Sequence, residues 1–341
     1  MNIGAGIAIA SIAGVMNGLF PLPMKANKVW AWENTWLPFS FLSLALFPAV
    51  IAWYTVPQLS IALQHTRLGD LAATIICGAL VYTGSLLFGI SIVYAGLTLS
   101  FALLVGSMNV VGILLPRLLL NHSLLGARGD RLVLAGVVFS TISVLFGFLA
   151  GKWKVTGEEN TTGGSQRILG SILATLGGIL SGLLPVAVAT PWAHHLLNSA
   201  VSYGGASPVG ASNALLCLIL LGGAIPNCSY CAYLLWRNRT CHNYLLHNRA
   251  SYWMIILAMG LLYSASVALW GMAISPSLLG TLGASVGWAL FVGMIVLSST
   301  AAGLLAGEWK QAAPRAFTIL AASLACLLLS MILICIGNYL G

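Results

Sequence analysis

The chain has 341 residues, a formal net charge of +8, 59% hydrophobic residues and only 6% charged ones. Soluble domains carry about 25% charged residues, so a water-soluble globular fold is excluded. The basic residues lie scattered in short loops between apolar runs, which reads as membrane topology and not as a nucleic-acid surface.

A bilayer crossing needs roughly 20 apolar residues. Taken in order, the apolar runs predict helices near Ile3–Leu22, Trp36–Tyr54, Leu71–Tyr94, Thr98–Leu120 and Leu132–Gly151. After a polar interlude they resume near Ile168–Val188, Val209–Leu235, Tyr252–Met272, Leu279–Ala306 and Phe317–Leu340. The first run lacks a basic n-region and is too long for a signal peptide, so it reads as a membrane helix. The expected fold is an all-α polytopic membrane protein of ten helices. Residues 1–151 and 168–341 each supply five, joined by a polar central loop at 152–167. Five is odd, so the second half enters from the opposite face and two similar halves would form inverted repeats, a common plan of secondary transporters.

Orientation follows from Lys and Arg. Lys25, Lys28, Lys152, Lys154, Arg167, Arg237, Arg239, Arg249, Lys310 and Arg315 fall in loops after odd-numbered helices, against Arg67, Arg117, Arg128 and Arg131 on the other side. The bias places the odd-numbered loops and the central loop in the cytoplasm and both termini in the periplasm. Glycosylation-type triplets at Asn160 and Asn238 then lie in cytoplasmic loops and are incidental.

The boundary after the first helix, MKANKVWAWENTW, interleaves Lys25, Lys28 and Glu33 with Trp30, Trp32 and Trp36. Aromatic rings at headgroup level and lysines on the wet side mark a membrane–water interface. Glu33, ahead of a helix starting near Trp36, also sits well against the positive end of a helix dipole. No catalytic or metal constellation stands out. His194 and His195 are adjacent and lack HExxH-type spacing, and no Walker A or GxSxG motif occurs. Cys228 and Cys231 have CxxC spacing without a second pair. An enzyme, a bound cofactor and a metal site are not expected.

What remains is polar side chains within helices, each needing a partner or a watery cavity. Asn17, Tyr82, Tyr94, Asn109, Asn227, Tyr263 and Trp288 are the candidate substrate residues. They offer amides, hydroxyls and aromatic faces with no buried charge. Such walls suit an uncharged polyol, whose hydroxyls take hydrogen bonds and whose C–H face stacks on rings.

FPLPMKANKVWAWENTW, Tyr94-Ala-Gly96-Leu-Thr98, Gly223-Ala-Ile-x-Asn227 and Gly307-Glu308-Trp309-Lys310 occur in that order. Together they resemble the L-rhamnose–proton symporter family of the drug/metabolite transporter superfamily. The resemblance implies ten helices in an inverted repeat, a cavity between the two halves, and proton-coupled uptake of a small neutral sugar across the inner membrane. Its partners would be the sugar, protons and the bilayer, with no nucleic acid. Phe88–Tyr94 and the stretch from Ser275 to Gly280 depart from the family pattern, which bears on the choice of sugar. A proton carrier is expected first at Glu33, then Glu308, then His194 or His195. A drug or metabolite exporter and a non-transporting receptor are the rival readings.

Overall fold

The computed structural model describes residues 2–26, 30–95, 97–119, 126, 128–154, 164–245, 249–280, 286–305, 309 and 312–340. Among them, ten helical spans are long and apolar enough to cross a membrane. In order they are Ile3–Met24, Trp32–Thr55, Leu68–Ile92, Leu99–Leu119, Arg128–Ala150, Ile168–Val188, Ser212–Asn238, Ala250–Ala273, Trp288–Leu305 and Pro314–Asn338. The described residues form no strand, as expected where lipid leaves every backbone group to be satisfied within its own segment.

Two boundaries differ from expectation in ways that matter. The second span begins at Trp32, which puts Glu33 inside its first turn and not ahead of the helix. The ninth begins at Trp288 and not near Leu279. Leu279 instead belongs to a turn closing the eighth span, in which Gly280 takes a left-handed φ of 57° and its N–H bonds the Ser275 carbonyl. Glycine adopts that conformation without a Cβ penalty.

Contacts divide the chain into two compact units, each built from both ends of the sequence: Met1–Tyr82 with Ala187–Thr281, and Thr83–Val186 with Leu282–Gly341.

In the first unit the first span lies along the eighth, and the second packs on the seventh. The third meets the seventh at backbone distance. A Cβ on Gly78 would overlap the Ile219 carbonyl oxygen, and one on Gly222 would overlap that of Ile75. Small residues at such points let membrane helices approach closely. The second span is not a continuous α-helix. Pro38 and Pro48 bring no N–H to the ladder, and the turn between them, Leu42–Leu46, is π-helical. The Ser264 hydroxyl donates to the Ser43 carbonyl at 3.1 Å. Trp30, Phe39, Ile256 and Met259 form a buried cluster with Phe20, Trp36, Tyr252 and Tyr263 around it.

In the second unit the fifth and tenth spans share the most extensive contact. Ser143 and Ser323 each donate a hydroxyl hydrogen to the other's carbonyl at 2.7 Å. Side chains at Gly136 and Gly337 would strike Ile334 and the Gly129 carbonyl across the same seam. The fourth span packs on the sixth, where Gly178 admits Ser107 and the Leu104 carbonyl.

Candidate functional site

Four of the expected substrate residues form one connected polar network in the first unit. Asn17 donates from Nδ2 to the Ser266 hydroxyl at 2.8 Å, and Ser266 donates to the Tyr263 carbonyl at 2.7 Å. The Tyr263 and Tyr82 hydroxyls meet at 2.8 Å. Asn227 donates to the Tyr82 carbonyl at 3.3 Å and to the Gly223 carbonyl at 3.0 Å. Gly223 is a required partner, because a side chain there would occupy the space of the Tyr82 ring. The Tyr263 ring takes edge contacts from Phe20 and Phe39, with centroids 5.2 Å and 5.9 Å away. In a pair of phenols one hydroxyl donates to the other. This wall is neutral, hydroxyl-rich and aromatic.

Two more lie close along the second unit. Asn109 donates from Nδ2 to the Ser140 hydroxyl at 2.8 Å. Its Oδ1 is buried without a hydrogen-bond partner, a costly state for an amide and an open acceptor for a ligand hydroxyl. Trp288, also buried, lays its indole against Gly112, one helical turn from Asn109. Tyr94 is half-buried beside Gly170 in the same unit, near the end of the third span.

The titratable candidates scatter. Glu33 is 5% exposed and accepts, on one carboxylate oxygen, the Asn238 amide at 3.0 Å and the Thr240 hydroxyl at 2.9 Å. Beside it, Asn34 donates to the Thr240 carbonyl at 2.9 Å and accepts from Asn243 at 3.0 Å. The two side chains thus hold the turn after the seventh span, where Arg239 adopts a left-handed φ of 54°. Burial pushes the nearby Tyr244 phenol up to about 12. His194 and His195 are exposed on the short helix Pro191–Ser202, and His195 Nδ1 lies 3.0 Å from Asp70 Oδ2. Glu308 lies outside the described residues.

One expectation is corrected. The helices do bury charge. Arg117, near the end of the fourth span, donates from Nη2 to Asp130 Oδ1 in the first turn of the fifth and from Nη1 to Asn338 Oδ1 on the tenth. Both charged residues are 7% exposed. The pair neutralises itself, which is why lipid tolerates it. Its signal in the sequence was an Arg closing one helix and an Asp opening the next, as a helical hairpin would align them. Among the described residues no group of three His, Cys, Asp or Glu side chains could hold a metal ion. Cys228 and Cys231 are free thiols.

The sequence model of the L-rhamnose-proton symport protein (RhaT) family matches residues 1–340. The chain belongs to this family. It is 25% identical to the L-rhamnose-proton symporter of Yersinia pestis bv. Antiqua (strain Antiqua), over 92% of this chain and 92% of that protein. The L-rhamnose-proton symporter of Yersinia pseudotuberculosis serotype O:3 (strain YPIII) is also 25% identical, with 92% of each chain covered. A multi-pass membrane transporter is therefore the frame for the RhaT-family residues above.

Proposed function

We propose that the chain carries L-rhamnose or a closely related neutral monosaccharide into the cell together with protons, by alternating access. The observation that carries this reading is the family match along the whole chain. The neutral wall of Asn17, Tyr82, Asn227 and Tyr263 supports it. On this reading the sugar bonds the Tyr82–Tyr263 pair and Asn17 of the first unit.

The repeat we propose runs 1–151 and 168–341, with 152–167 between. Four contacts support it, because an inverted repeat brings equivalent positions together across a pseudo-two-fold axis. Tyr82 meets Tyr263 at a separation of 181 residues, and Ser143 meets Ser323 at a separation of 180. Glu33, in the first turn of the second span, reaches Asn238 at the end of the seventh. Asn213, in the first turn of the seventh, reaches Thr55 at the end of the second at 3.2 Å. Membership of the drug/metabolite transporter superfamily, residence in the inner membrane and periplasmic termini complete the proposal, the last from the basic-residue bias.

The test is uptake of labelled L-rhamnose by proteoliposomes under an inward proton gradient, competed by a panel of unlabelled neutral sugars. Accumulation competed best by L-rhamnose is expected. Better competition by another sugar changes the substrate and keeps the mechanism. No uptake by folded protein overturns the proposal.

A further inference from the structure

A proton symporter needs an acid whose protonation alters how helices hold each other. Three carboxylates lie among the described residues. Glu33 accepts hydrogen bonds from neutral groups, the Asn238 amide and the Thr240 hydroxyl, so protonation there breaks no ion pair with them. Asp70 pairs with His195, whose side chain is 54% exposed, where solvent screens the pair. Asp130 differs on both counts. It is buried, and its partner Arg117 is buried and cationic.

The position of Arg117 gives that pair a mechanical reach. It follows Pro116, which brings no N–H to the Gly112 carbonyl four residues back. Gly112 is the residue against which the Trp288 indole packs, and Asn109 lies one turn further along the same helix. Arg117 and Asn109 are therefore about 12 Å apart on one rod, and the rod is weakest between them. One end is tied by Arg117 to the fifth and tenth spans. The other carries the unpartnered Asn109 Oδ1.

We propose that Asp130 is the proton-carrying acid of transport and that its ion pair with Arg117 couples the proton to the sugar. The inference rests on the symport reading. A proton from the outer water binds the Asp130 carboxylate and abolishes the ion pair, while Arg117 keeps its bond to Asn338. The end of the fourth span, hinged at Pro116, is then tied to the tenth span alone and can shift, and the packing of Trp288 on Gly112 and the place of Asn109 adjust with it. When the transporter opens inward, the proton leaves through the inward-facing cavity to the cytoplasm and the pair re-forms. The charged groups close to Asp130 on its own helix, among the described residues, are Arg128 and Arg131, both exposed. In the proposed orientation this end of the fourth and fifth spans faces the periplasm, the side from which the proton enters.

The experiment compares wild type, Asp130→Asn and the double variant Arg117→Gln/Asp130→Asn in proteoliposomes. Two readouts are taken with labelled L-rhamnose: uphill accumulation under an inward proton gradient, and exchange with internal sugar without any gradient. Exchange retained with loss of uphill accumulation is the expected result. If Asp130→Asn misfolds because Arg117 is left unpaired, the double variant decides by the same criterion. Uphill accumulation by either variant overturns the proposal. So does failure of both to exchange or to fold, which would assign the pair to structure. Absence of exchange in wild type would instead overturn the symport reading itself.

Discussion

The hydroxyls of Tyr82 and Tyr263 meet at 2.8 Å across helices 181 residues apart in sequence. Both rings are held from behind, Tyr82 by Gly223 and Tyr263 by Phe20 and Phe39, so the hydroxyl pair is fixed before any ligand arrives. Fixed donors lose little entropy on binding. Tyr263→Phe should leave folding intact and raise the KM for sugar, with a single lost neutral hydrogen bond giving about a tenfold effect at most. Initial rates of uptake over a range of sugar concentrations check this. An unchanged KM would remove the pair from the substrate wall.

The close seam of the third and seventh spans makes a second prediction. Gly78 and Gly222 each face a carbonyl oxygen of the opposite helix, and backbone cannot swing aside as a side chain can. Gly222→Val should destabilise the protein by about 1–3 kcal/mol or more, read as a lower thermal midpoint in detergent. Gly69, with nothing near its Cβ position, is the control and should tolerate Ala.

Glu33 is expected to act as a clamp. Its two hydrogen bonds fix the end of the seventh span to the start of the second. Bonds to a charged acceptor contribute about 1.5–3 kcal/mol each, so Glu33→Ala should lower the thermal midpoint clearly. Glu33→Gln retains an acceptor oxygen and should still accumulate sugar uphill. Loss of accumulation with exchange kept in Glu33→Gln would move the coupling role from Asp130 to Glu33.

The orientation has its own check. A single reporter cysteine placed at the amino terminus of a cysteine-free variant should react with an impermeant maleimide added to intact cells. Labelling only after the membrane is opened would reverse the assigned topology.

The ten spans were legible because a run of apolar residues has one stable form in lipid, a helix with its backbone satisfied internally. Asn17, Tyr82, Asn227 and Tyr263 were legible as costly polar side chains within such runs. That they share one network was not, since no spacing within a helix reports on its neighbours. In the sequence the apolar run starts at Trp36, which sets Glu33 ahead of the second helix. The helix in fact starts at Trp32 and buries the acid in its first turn. The Arg117–Asp130 pair was hidden for a related reason: each residue alone looks like a wet helix end, and only their pairing makes burial possible.

The most direct test of the account is whether protons move with the sugar. L-rhamnose is added to weakly buffered, de-energised proteoliposomes containing the protein, and external pH is followed. The account predicts a transient rise in external pH as sugar and protons enter together, abolished by a protonophore and absent from protein-free vesicles. Sugar entry with no pH change, or with external acidification, would contradict it.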